Sequence, residues 1–126
     1  MTRDIKLKET IKASPTDVYA AFTNKKIIEI WTGEEAEMST VPGSEFSWFG
    51  GDIAGKNIEF EENKRIVQQW YFGDYNPSTV TIILHPSKQN TQIEVLLIGV
   101  PEIDVEDITN GWHESIFSSL KELLEE

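Results

Sequence analysis

The sequence predicts an α+β fold, a curved antiparallel sheet of about seven strands around a long C-terminal helix, in the order β-α-α-β6-α. Three observations predict it. Residues 104–125 place Val105, Ile108, Trp112, Ile116, Leu120 and Leu123 along one stripe at 100° per residue, with Phe117 and Leu124 at its edge. The opposite face carries Asp107, Asn110, Glu114, Ser118, Lys121, Glu122 and Glu125. Before that helix, period-two segments follow one another across short, turn-rich connections, which is the pattern of a meander. Near the N-terminus, two helix starts interrupt the strands. An apolar arc of this length needs a broad surface to cover it, and the preceding strands supply one.

Residues 4–13 alternate, with Ile5, Leu7 and Ile11 on one side and Lys6, Lys8, Thr10 and Lys12 on the other. Glu9 falls on the apolar side. A strand end emerging into solvent accounts for it more economically than a buried carboxylate. Ser14-Pro15-Thr16-Asp17 is a helix start: a capping oxygen, a proline where no N–H is needed and an acid at the positive end. The helix carries Val18, Ala21 and Phe22; Thr23-Asn24 then offers a cap for a second, with Ile27, Ile28 and Trp31, that stops at Gly33. Strands are expected over 36–40, 45–49, 53–61, 65–72, 78–85 and 92–100, and Pro101 breaks the last. The acids Asp104 and Asp107 suit the first turn of the final helix. These helices gather on one face of the sheet, and the space between is either filled by side chains or open to a ligand.

A chain of 126 residues fits one domain, spanning 1–126. It contains no cysteine, which excludes disulfides and thiolate metal sites and makes the cytoplasm the expected compartment. With 22 Asp and Glu against 11 Lys and Arg, the formal charge of −11 disfavours nucleic acid and anionic membranes as partners. No apolar run suits a signal peptide or a bilayer span, so a soluble protein is expected.

Catalytic and metal chemistry finds no motif. His85 and His113 begin no ligand spacing such as HExxH, and neither GxSxG, GxxxxGK[ST] nor GxGxxG occurs. Ser115 lies well round the helix from His113, which argues against a serine–histidine pair. No catalytic set, metal or cofactor is therefore expected. His113 falls by angle between Leu120 and Phe117, inside the apolar arc, and is expected to face the sheet. It is read either as a core histidine with one hydrogen-bond partner or as a polar contact to a ligand. Trp70 and Phe72 share a strand face with Gln68, while Phe46 and Trp48 alternate with Glu45, Ser47 and Phe49. Strand aromatics are ordinary core. Their coincidence with Trp112, on the helix that should cover the same sheet, raises the pocket reading.

The run GSEFSWFGGDIAGKNIEFEENKRIVQQWYFGD, then IGVP and NGWHESIFSSLKELLEE, resembles the activator of heat-shock protein 90 ATPase homologue family, within the START-like, birch-pollen-allergen-like superfamily. The early segment SPTDVYAAFTNKKIIEIWTG is similar to the same family's opening helices. The glycine pattern, Trp70, Gly99-Val100-Pro101 and Gly111-Trp112 carry most of the resemblance. It implies the helix-grip fold. It also implies structural roles at the matched positions, with Gly111 permitting close packing and Trp112 filling space. In eukaryotic members the similar domain is the C-terminal part of a co-chaperone that stimulates the chaperone's ATPase. The separate N-terminal domain of those proteins has no counterpart in this sequence, so full activation is not expected. In the wider superfamily, the space between helix and sheet takes lipids, steroids, hormones or polyketides.

Two readings of function follow. The first is a non-enzymatic module that binds a small apolar or amphipathic ligand between sheet and helix. Its lining would be Phe46, Trp70, Phe72, Trp112, Ile116 and Phe117, with Gln68 or His113 orienting the ligand. The alternative is a co-chaperone-like module that meets a heat-shock protein 90 homologue through its acidic surface. A polyketide cyclase-like enzyme is a third reading, resting on superfamily analogy alone.

Overall fold

The computed structural model describes residues 1–125. Six strands form one antiparallel sheet: β1 (Thr2–Ile11), β2 (Glu45–Trp48), β3 (Ile53–Glu61), β4 (Arg65–Trp70), β5 (Ser78–Ser87) and β6 (Asn90–Pro101). Their spatial order is β1-β6-β5-β4-β3-β2, so the five later strands form a meander and β1 returns to pair with the last of them. Helices α1 (Pro15–Thr23) and α2 (Lys25–Thr32) cross between the two edge strands. A continuous helix over 105–124 completes the fold.

The local chemistry accounts for these elements. Ser14 Oγ accepts the Asp17 N–H and Pro15 occupies the first turn of α1, while Asn24 Oδ1 accepts the Ile27 N–H to start α2. Gly33, at φ 76°, closes α2 in the left-handed region where a side chain would be strained. The indole N–H of Trp31 donates to the Ala21 carbonyl at 2.7 Å and pins the two helices together. Alternation then puts one face of the sheet inside: Leu7 and Ile11, Ile93, Val95 and Leu97, Val80, Ile82 and Leu84, and Ile66 are all buried with Phe22, Ile28 and Leu120. Thr91 Oγ1 donates to the Ala13 carbonyl at 2.8 Å and satisfies a buried acceptor where β1 turns into α1. Gly99, at φ 78°, sits where the β1–β6 register slips, and its N–H is taken by Asp4.

The sheet has six strands rather than about seven. Over 36–40 only Glu37 and Ser47 pair, because the Ser39 carbonyl is taken by Asn57 Nδ2 at 3.0 Å and the turn at Pro42-Gly43 leads the chain away. β4 ends at Trp70, which leaves Phe72 in the following turn. Glu9 is neither interior nor unpartnered: its carboxylate meets Lys121 Nζ at 3.0 Å, so β1 holds the last turn of the terminal helix.

That helix departs from the uniform α-helix expected. It comprises α3 (Val105–Gly111), a π-helical segment (Trp112–Phe117) and α4 (Ser118–Leu124). A π turn rotates less than 100° per residue, so Phe117 swings inward beside Trp112 and Ile116. The same change moves His113 outward. It is exposed, with its ring tilted by 57° against Phe117 at 5.7 Å, a correction to its expected place against the sheet.

Candidate functional site

The concave face is closed by aromatic rings. Trp70 of β4 stacks on Trp112 of the terminal helix, with centroids 5.5 Å apart and planes inclined by 11°. Trp48 stands edge-on to Trp70 at 5.7 Å, Phe46 packs on Trp48, and Phe117 leans on Trp112. Phe22 reaches the group from α1, 5.9 Å from Trp48 and 6.4 Å from Trp112. Each of these rings is at most 2% exposed, so the centre of the space between sheet and helix is filled.

An opening remains at one end. A cleft of about 570 Å³ lies between the N-terminal half of the terminal helix and the turn joining β2 to β3. Asp107, Ile108, Gly111, Trp112, Ser115 and Ile116 form one wall, and Phe49, Asp52 and Ile53 the other, with Trp70 between them. Both walls carry uncommon backbone. Phe49 has φ 55°, a conformation costly for a bulky side chain, and Gly50 and Gly51 follow at φ 66° and 104°. The facing wall contains the π-helical turn, an element that recurs at functional sites. A Cβ built on Gly111 meets nothing within 4 Å. Gly111 therefore faces open space, contrary to the close-packing role that the family resemblance implies.

The residues named from the sequence are divided by the structure. Trp70, Trp112 and Ile116 meet in the cleft wall. Phe117 lies behind Trp112 in the core, and Phe46 lines a separate depression with Gly55 and Tyr71 near the β2 edge of the sheet. Phe72 is half-buried against the core and outside the cleft. Gln68 is wholly buried with its amide engaged: Oε1 accepts from Trp70 Nε1 at 2.9 Å and Nε2 donates to Asn57 Oδ1 at 3.0 Å. Asn57 passes the chain on to the Ser39 carbonyl and Ser44 Oγ, so this polar line braces the loop before β2. The indole N–H groups of Trp48 and Trp112 are buried without an acceptor among the described residues. Phe49, Asp52, Ile53, Asp107, Ile108, Gly111 and Ser115 complete the cleft and were not legible as site residues. Periodicity describes faces of strands and helices, whereas this wall is half turn.

His85 stands away from the cleft. Its Nε2–H donates to Glu94 Oε1 at 2.9 Å, and Lys6 Nζ lies 3.1 Å from Glu94 Oε2. The bond from His85 first, and then that from Lys6, hold the Glu94 carboxyl below the usual carboxylate range. Among the described residues, no group of three His, Asp or Glu could hold a metal ion, and no helix is long and apolar enough to cross a membrane.

Fold and cleft together define a helix-grip α+β domain whose long helix packs on a ring-filled sheet and leaves one end open. The chain belongs to the Activator of Hsp90 ATPase homolog 1-like protein family, whose model matches residues 12–125. It is 31% identical over 124 residues to an activator of 90 kDa heat shock protein ATPase homolog of Dictyostelium discoideum, an alignment covering 95% of this chain and 32% of that protein. The human homolog 1 is 26% identical over 124 residues, covering 96% of this chain and 37% of that protein. The chain thus spans about a third of the length of these curated relatives. Among solved structures, an HSP90 activator from Plasmodium falciparum superposes with a TM-score of 0.86 at 23% identity, covering 95% of this chain and 94% of that one.

Proposed function

We propose that this domain is a non-enzymatic binding module that takes a small apolar or amphipathic molecule in the cleft between the β2–β3 turn and the terminal helix. One observation carries the reading: two irregular backbone segments, the left-handed Phe49 and the π turn, face each other across the same cleft. Strained and irregular backbone persists where the surrounding structure holds it for a purpose. A mostly apolar wall with a few polar points and a volume within the range of ligand sites agrees with it. Binding is favoured over catalysis because neither histidine lines the cleft, which leaves Ser115 without a base beyond the two aspartates.

Native mass spectrometry of the purified protein is expected to detect a co-purified small molecule. Gly111→Leu, which projects a side chain into the open cleft, is expected to remove that adduct while leaving the far-UV circular dichroism unchanged. Wild-type protein that carries no adduct, and whose tryptophan fluorescence does not respond to millimolar 4-phenylbutan-1-ol, overturns the proposal.

Family membership favours a second reading, a cytoplasmic module that contacts a heat-shock protein 90 homologue. The net charge of −11 suits a surface that steers itself to a basic patch on such a partner. Added domain is then expected to change the ATPase rate of its host's homologue, more at low salt than at high. An unchanged rate together with no binding in the same buffer removes this reading.

A further inference from the structure

We propose that the cleft selects a positively charged amphiphile, an organic ammonium or amidinium attached to an apolar body, over neutral or anionic molecules of the same shape. The inference rests on the cleft being a ligand site and adds the ligand's charge. Among the described residues lining it, Asp52 and Asp107 are the charged ones, and no lysine or arginine contributes. They stand on opposite walls, Asp52 in the turn that follows Gly50-Gly51 and Asp107 on α3. Both are exposed, and neither is paired with a cation among the described residues.

The surroundings have the same sign. Glu34 lies against the turn: a Cβ placed on Gly50 would fall 3.4 Å from Glu34 Oε1. The whole chain adds a field from its charge of −11. An anionic head group entering here meets carboxylates on both sides, whereas a cation meets two partners without displacing an existing ion pair. The interior then suits an apolar body, with Ile108, Ile116, Trp70 and Trp112 lining it. The half-buried Phe49 ring adds a compatible surface, because ring faces attract cations. Since the carboxylates remain hydrated, the preference is modest and sensitive to salt.

Three probes with one phenylbutyl body separate charge from shape: 4-phenylbutylammonium, 4-phenylbutan-1-ol and 5-phenylpentanoate, titrated calorimetrically into the full chain. At low ionic strength the ammonium is expected to bind roughly ten-fold tighter than the alcohol, with the carboxylate weakest, and 0.5 M salt to erase most of the difference. Asp52→Asn and Asp107→Asn should each weaken the ammonium roughly three-fold and the alcohol by much less. Equal binding of ammonium and alcohol overturns the charge preference while leaving the cleft as a ligand site. A preference that survives in the double Asn variant overturns the assignment to these carboxylates. If none of the three binds, the charge preference falls, and if the purified protein also carries no adduct the ligand site falls with it.

Discussion

Two glycines show how much a single residue's surroundings decide. Gly55 of β3 lies between Phe46 of β2 and Trp70 of β4, and a Cβ there would come within 1.8 Å of the Gln69 carbonyl oxygen. Backbone cannot swing aside as a side chain can. Gly55→Ala is therefore expected to cost about 3 kcal/mol, whereas Gly111→Ala, at helical φ −61° with open space beside it, should stabilise by roughly 0.5–1 kcal/mol. Urea unfolding midpoints of both variants check the contrast. Both were legible as glycines in the sequence, but opposite consequences follow from what lies beside them. His113 teaches the same lesson: a wheel drawn at 100° per residue puts it inside, and the π turn puts Phe117 there instead.

Among elements, the agreement is closest where local chemistry is strongest. Both short helices start where the caps are read, at Ser14 and within Thr23-Asn24, and β3 occupies 53–61 as its alternation indicates. The strand expected over 36–40 fails because a single long-range donor, Asn57 Nδ2, competes for its backbone, and no local pattern announces that. Pairing between elements also has a pH signature. Glu94 of β6 accepts from His85 of β5 and from Lys6 of β1, bridging three adjacent strands. Its folded carboxyl titrates lower than in the unfolded chain, so its contribution is complete above the ordinary carboxylate range, near about 4.3, and is lost as pH falls through the lower folded value. Relative to Glu94→Gln, the wild type should be more stable at pH 7, and the two should converge as the solution is acidified below about pH 4. Denaturant unfolding of the pair at stepped pH measures it; a constant difference across that window would show that the bridge does not contribute through its charge.

For the whole molecule, composition and period sufficed for the class. An amphipathic C-terminal helix, a run of alternating strands and two capped helices admit few arrangements other than one sheet covered on one face, because each apolar stripe must be buried against another. They also identify part of the core, since an apolar face at a regular period is the one that is buried: Leu7, Ile11, Ile116 and Leu120 are inside as their alternation or helical phase requires. What only the tertiary structure decided is where that interior stops. Trp48, Trp70, Trp112, Phe22 and Phe117 fill the centre, and the open space lies off to one end, between a turn and a helix wall some 60 residues apart in sequence. Packing around Phe49, Asp52 and Gly111 depends on a left-handed turn and on a change of helical pitch. The Gly50-Gly51 pair marks a turn there but does not announce the left-handed backbone of Phe49, and no local pattern announces the π turn. Residue pattern therefore determined what must be buried, and three-dimensional packing determined what was left open.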